Sequence, residues 1–337
     1  MHTSEGNMST PYRNSFDVVR HIAALMVLVS HQFALSGLEE PSFLSLGPYG
    51  LLGVAIFFVI SGYLVAESCL RSENFASYME KRIRRIFPAL IVCCFLLVFT
   101  VVPFFTPADL WTYFTSSSTY TTFINGTLLL GLRPKDIFTD FIYPTTINGS
   151  LWTLPYEFFF YIIIGTLIIS MKDYKAPLIV FFISAIIAAY TQKNPIYYHF
   201  YTIRFDQNFK FLMIFSFGSL LAFTEQTWNK TNIKVFLSTV SILVLITQYK
   251  RAEFFILGNL AISFLVIAYA VSFKDHIIKH RFDISYGVYI YAFPVQQIVI
   301  NKLPMPFLYS LLVTCIITSM LALLSWFFVE KRFLNRG

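Results

Sequence analysis

Long apolar runs, each about the length of a bilayer crossing, alternate along this chain with short polar connectors. A bilayer core takes about 20 mainly apolar residues per helix. By that measure helical spans are expected near 16–36, 50–67, 87–105, 151–170, 177–191, 210–224, 234–248, 254–272, 285–301 and 307–328. The pattern therefore predicts an all-α integral membrane protein, a polytopic bundle of about ten transmembrane helices. One membrane domain, 16–330, stands between short tails at 1–15 and 331–337. The first apolar stretch lacks a small-residue cleavage site and is expected to stay in the membrane. About two thirds of the lysines and arginines fall in segments on the same side as the N-terminus, which places both termini in the cytoplasm. The longest connector, about 106–150, then lies outside. Its "PADLWTYFTSSSTYTTFINGTLLLGL" is amphipathic enough to rest on the membrane surface, and a connector of that length covers a site or meets a partner.

Composition sharpens this picture. The 337 residues are 56% hydrophobic and 13% charged, about half the charged share of soluble domains. The net charge of +7 sits in short connectors, so it reads as topology and argues against a nucleic-acid-binding face. Cys93, Cys94 and Cys315 lie in apolar runs and Cys69 just after one, as small hydrophobes and not as a disulfide framework. No His/Cys/Asp/Glu cluster has ligand spacing, so no metal is expected.

Candidate chemistry lies where polar residues interrupt apolar runs. In "DVVRHIAALMVLVSHQF", Arg20 and His31 share a helical face about three turns, or roughly 16 Å, apart. An ionisable residue as deep as His31 is a functional candidate by default, with polar glue between helices as its other reading. Asp17 is placed to pair with Arg20. In "ASYMEKRIRRIFPAL", Arg82 and Arg85 share a face, with Arg84 beside them before Pro88. They read either as a positive-inside stop or as a phosphate clamp, for which the guanidinium fork is suited. Glu157, in "NGSLWTLPYEFFFY", needs a partner or a water-lined cavity. Trp152 is by default an interfacial anchor, and Ser61, in "GVAIFFVISGYL", a close-packing residue. Glu67 and Glu330 read as interfacial ion-pair formers.

Arg20 and His31 at their spacing, "GVAIFFVISGYL", "KRIRRIFP", "NGSLWTLPYEFFFY", "SYGVYIYAFP" and the closing "FVEKRF" stand in the order found in the membrane acyltransferase-3 family. The chain resembles these multi-pass O-acyltransferases of bacterial surface polysaccharides from about residue 15 to the last helix. The resemblance implies acetyl-CoA as acyl donor from the cytoplasm. It also implies an acceptor hydroxyl on a polysaccharide or lipid-linked glycan (O-antigen, capsule or exopolysaccharide), reached from outside a bacterial inner membrane. By it His31 is the catalytic residue, and Arg20, Arg82 and Arg85 are functionally important. Where family members often carry a Trp-His pair this chain reads Tyr291-Ala292, so a histidine there is not part of its chemistry.

On that reading the nucleotide phosphates stay with Arg82, Arg85, Arg84 and Arg20, and the pantetheine arm brings the thioester to His31. The imidazole either takes the hydroxyl proton or carries the acetyl group itself. Glu157 would orient the imidazole or hold acceptor hydroxyls, with Trp152 and Ser61 as substrate-binding candidates. The alternative of a different class is a proton-coupled transporter or flippase of a glycan precursor using His31 and Glu157. Against it, no inverted repeat is visible.

Overall fold

The computed structural model describes residues 14–44, 46–134, 136–247, 255–278 and 282–334. It opens with α1 (Phe16–Leu35), α2 (Tyr49–Arg71) and α3 (Phe75–Leu96), which runs on through a π turn, Leu97–Val101, and a 3₁₀ turn, Val102–Phe104. Short α4 (Leu110–Thr115) and α5 (Ser117–Thr127) follow, and a 3₁₀ turn, Gly149–Thr153, leads into α6 (Leu154–Met171). Then come α7 (Lys175–Lys193), strands β1 (His199–Phe200) and β2 (Ile203–Arg204), α8 (Phe205–Phe223) and short α9 (Glu225–Trp228). The chain continues with α10 (Thr231–Thr247), α11 (Phe255–Ser272), α12 (Ser285–Lys302), α13 (Phe307–Ser325), a π turn, Trp326–Glu330, and α14 (Lys331–Leu334). The two strands pair antiparallel, Phe200 opposite Ile203.

This is a helical membrane protein. A helix covers each of the expected apolar runs, and six stretches are long and apolar enough to cross a bilayer: Phe16–Leu35, Tyr49–Arg71, Phe75–Phe104, Gly149–Met171, Lys175–Lys193 and Phe307–Leu334. Among the rest, α12 carries Gln296, Gln297 and Asn301, polar side chains that would be costly against lipid. They face the interior, and both glutamines are fully buried. Outward faces are apolar, as with Ile179, Phe182 and Ile186 on α7 and Leu312, Ile316 and Met320 on α13, all exposed.

The third span differs from its expected start near residue 87. Asn74 caps α3 by accepting from the Ser77 amide at 3.0 Å, satisfying an otherwise orphan donor. The arginine segment is thus the first half of the same helix. Pro88 sits inside it and removes a single backbone donor without ending it. The 106–150 connector is fastened to the bundle. Tyr113 donates from its hydroxyl to the Val98 carbonyl at 2.7 Å, and Gly126 lies against Cys94 and Leu132.

Side-chain contacts order the helices by depth. Arg20 meets Asp283 while Leu28 and Gln32 meet Gln296, so α1 and α12 run parallel. Tyr78 bonds to Tyr161 and Phe87 packs on Phe158, so α3 and α6 run antiparallel. Arg20, Arg82, Arg85 and the start of α12 therefore share one end of the bundle, and Gly149–Thr153 lies toward the other.

The closest helix contact is between α2 and α8. A Cβ on Gly62 would collide with the Phe215 carbonyl, and one on Gly218 with the Val59 carbonyl. The bare backbones let Ser219 Oγ donate to the Gly62 carbonyl at 2.8 Å, a small-residue contact of the kind that joins membrane helices. Gly218→Val is expected to cost about 3 kcal/mol or more, the upper range for overpacking. The check is a thermal unfolding series in detergent, with Ser219→Ala expected to lose about 1 kcal/mol.

Candidate active site

One buried carboxylate organises the arginine end. Asp283, in the connector before α12, accepts from Arg20 Nη1 at 2.9 Å and from Arg85 Nη2 at 2.5 Å. The Ser285 hydroxyl donates to its other oxygen at 2.5 Å. Burial pushes this carboxyl up, but the guanidinium groups of Arg20 and Arg85 outweigh burial and hold it well below the usual carboxylate range. Three separate chain segments, α1, α3 and the α12 connector, are tied at that point.

Around this node opens a cavity of about 400 Å³. Arg20, Arg71, Lys81, Arg82, Arg84 and Arg85 line it and no carboxylate does. Most of these cations are engaged elsewhere: Arg84 with Glu80 at 2.5 Å and Arg71 with Glu67 at 3.6 Å. Arg82 differs. Among the described residues it has no carboxylate partner, donates to Ser68 Oγ at 3.3 Å, and lies over the rings of Tyr78 and Tyr161. A guanidinium held by a hydroxyl and ring faces keeps its charge uncompensated, which suits it to an arriving anion.

Arg20 and Arg85 also line a second, narrower chamber of about 40 Å³ that runs inward from the mouth. Its walls include Val54, Phe57, Thr153, Glu157 and Tyr289. Glu157 accepts from Ser61 Oγ at 3.0 Å and from the Tyr161 hydroxyl at 2.5 Å, which supplies the partners an intramembrane carboxylate requires. Ser61 is thus a fixed donor to Glu157, at the border of mouth and chamber.

His31 lies further along α1, about three turns beyond Arg20. Its ring meets Phe293 edge-on, centroids 5.2 Å apart. Among the described residues, Nδ1 is buried with no hydrogen-bond partner. The neighbouring Ser30 donates to Glu40, and Gln32 joins Gln296 and Ser310 at 2.9 and 2.8 Å. These bonds fix the α1 backbone on both sides of the imidazole. Glu157 is not brought to His31; it sits level with Arg20 and Arg85. Trp152 belongs to neither the mouth nor the chamber, but lines a cavity toward the opposite end.

Asp283 and Glu330 are the residues sequence reasoning missed or misplaced. Asp283 had one signal, a lone acid just ahead of "SYGVYIYAFP". Glu330, expected in an interfacial ion pair, is buried and accepts from Ser325 Oγ at 2.9 Å.

Removing the shared carboxylate leaves two buried guanidinium groups facing each other, so Asp283→Asn is expected to cost about 3 kcal/mol. A carboxyl held below its usual range contributes stability above its unfolded-state value, near 4, and loses it as pH falls through and below that value. The melting difference between wild type and Asp283→Asn should therefore be constant from about pH 8 to 5 and shrink below about pH 4. A difference that shrinks already between pH 8 and 6 would contradict this assignment.

A model of the acyltransferase domain matches residues 13–330. An O-acetyl transferase of Shigella phage Sf6 is 38% identical over 96% of this chain and 97% of its own length. Nodulation protein 10 of Rhizobium leguminosarum bv. viciae is 28% identical over 96% of this chain and 94% of its own. A Bacillus subtilis protein carrying the name peptidoglycan O-acetyltransferase is 24% identical over 86% of this chain, which spans 51% of that longer protein. No solved structure matches the chain. The matched span takes in the arginine mouth, the inner chamber and His31, and the chain belongs to the membrane acyltransferase-3 family.

Proposed function

We propose that this protein transfers an acetyl group from acetyl-CoA, bound at the arginine end, to a sugar hydroxyl reached from the opposite end. The acceptor is a surface polysaccharide or its lipid-linked repeat unit. The observation that carries this reading is a mouth lined by six cations and no carboxylate, which shares Arg20 and Arg85 with a narrow inner chamber. In this reading the arginine end and both termini face the cytoplasm of a bacterial inner membrane, and all ten long helices cross it.

Coenzyme A has a charged nucleotide end and a thin arm. Its phosphates fit the mouth, where Arg82 offers an uncompensated fork and Arg20 and Arg85 are presented by Asp283. In this reading the arm enters the chamber, which widens from its present volume of about 40 Å³ to admit it, passing Glu157 toward Phe57 and Tyr289, with the thioester carried on to His31. There an imidazole nitrogen takes the proton of the acceptor hydroxyl as its oxygen attacks the thioester carbonyl. The carbon–sulfur bond breaks and the departing thiolate takes up that proton. In the stepwise form the imidazole nitrogen attacks first and passes the acetyl group on. The names of the phage and Bacillus relatives, both O-acetyl transferases, support an oxygen acceptor.

Purified protein supplied with radiolabelled acetyl-CoA is expected to release free thiol, and His31→Ala to release about a hundredfold less or lower still. Label retained on wild type and absent from His31→Ala would select the stepwise route. Arg82→Ala is expected to raise KM for acetyl-CoA about tenfold, the loss of one charge-assisted contact. Wild type that neither binds nor turns over acetyl-CoA, with or without polysaccharide, would sink the proposal.

A further inference from the structure

At the end opposite the arginines lies a second large cavity, about 510 Å³, that the donor path does not use. Trp152 lines it together with Arg133, Thr146 and Asn148. A flat aromatic face beside a hydroxyl and a guanidinium suits a sugar ring, whose apolar face stacks while its hydroxyls hydrogen-bond. The wall is built and not incidental. Leu129 and Thr145, both non-glycine, hold left-handed backbone at φ 63° and 64°, beside Gly131 at 86°. Such conformations persist where surrounding contacts over-determine them and concentrate at binding sites.

The cavity floor is clasped by one face of α12. Asn148 donates from Nδ2 to the Ile290 carbonyl at 2.7 Å. Gln297 donates from Nε2 to the carbonyls of Tyr143 and Thr146 at 2.8 and 2.9 Å. Between these two fastenings stands Phe293, whose ring occupies the space a side chain on Gly149 would need: a Cβ there would come within 2.5 Å of Cε2. The same ring is the one that meets His31. One turn earlier, Tyr289 bonds to Thr153 at 2.5 Å while lining the donor chamber. The turn Gly149–Thr153 therefore has Trp152 on the outer cavity and Thr153 on the donor chamber, with Phe293 packed against Gly149 and Tyr289 bonded to Thr153.

We propose that the cavity beside Trp152 binds the acceptor sugar and that Phe293 is the door between that sugar and His31. This rests on the acyl-transfer reading above. In this proposal the ring, set between Gly149 and the imidazole, bars the way from the outer cavity to His31. When the ring leaves Gly149, the hydroxyl enters, its oxygen bonds to the acetyl carbonyl, the carbon–sulfur bond breaks, and the hydroxyl proton passes through His31 to the thiolate.

Two acceptors serve as probes: water, read as thiol release from acetyl-CoA alone, and base-de-esterified surface polysaccharide of the producing cells, read as ester formed. Phe293→Ala is expected to raise thiol release into water about fivefold or more while lowering the share of acetyl that reaches polysaccharide. Phe293→Trp should not raise it. Phe293→Leu, which nearly preserves volume and guards against misfolding, should fall between wild type and alanine. Trp152→Ala should raise KM for polysaccharide about tenfold, the loss of one stacking contact, with a much smaller change in thiol release. Folded Phe293 variants with wild-type release into water would overturn the door. Wild type that releases thiol but does not acetylate the polysaccharide, or Trp152→Ala with unaltered KM, would overturn the acceptor site. If wild-type release is absent or is untouched by His31→Ala, it is the acyl-transfer reading itself that fails.

Discussion

Two guanidinium groups on separate helices converge on one buried carboxylate, and the remaining polar architecture depends on that pairing. Arg20 and Arg85 approach within about one side-chain length of each other, where like charges in a low-dielectric bundle repel strongly. Asp283 offsets this by accepting from both, and Ser285 keeps its second oxygen satisfied. Asp283 cancels one of the two positive charges it touches, Glu157 stands in the chamber wall beside them, and the cavity at the mouth has no carboxylate in its lining. A complete neutralisation would have stabilised the fold and removed the attraction for an anion. Arg82, held by ring faces and a hydroxyl, follows the same logic at the rim.

The helical architecture was legible in the sequence because the bilayer requires it. Backbone polar groups have no water to bond in hydrocarbon, so each crossing must be a helix and each helix writes an apolar run. Arg20, Arg82, Arg85 and His31 were legible for the complementary reason, that charge in such runs is costly enough to need a purpose. Partnerships were not legible. Nothing in the spacing ties Arg20 to Asp283, on the far side of most of the chain, or Ser61 to Glu157, because these contacts depend on which helices pack together. The apolar run alone places the third span from about residue 87, with the arginines ahead of it, while the helix that carries both begins at Phe75. Asn74 capping and the packing of Tyr78 onto α6 make it continuous helix.

The expectation that Glu157 would orient the imidazole came from a familiar pattern, a carboxylate behind a histidine. Depth decides against contact here: α6 enters from the opposite end, so Glu157 falls level with Arg20, while His31 sits about three turns further along α1. What fixes His31 is packing and backbone. Phe293 presses on the ring, Ser30 is tied to Glu40, and Gln32 is tied to Gln296 and Ser310. An imidazole set this way keeps a nitrogen free of protein partners, as a group that must accept a proton from a passing hydroxyl needs.

A membrane enzyme that joins a donor on one side to an acceptor on the other faces a conflict. Its catalytic residue must meet both, yet a continuous path would let water cleave the thioester and let small ions cross the bilayer. A wide septum would prevent leakage and also prevent transfer. In the proposed arrangement the partition is thin, one aromatic ring over a glycine. Gly149 matters because any side chain there would hold Phe293 off the wall, leaving the passage open or forcing the ring onto the imidazole. The hydrogen bonds of Asn148 and Gln297 to either side keep backbone and helix in register while the ring between them is held only by packing. The proposed door therefore asks for movement of one side chain alone, and its rotation breaks no hydrogen bond.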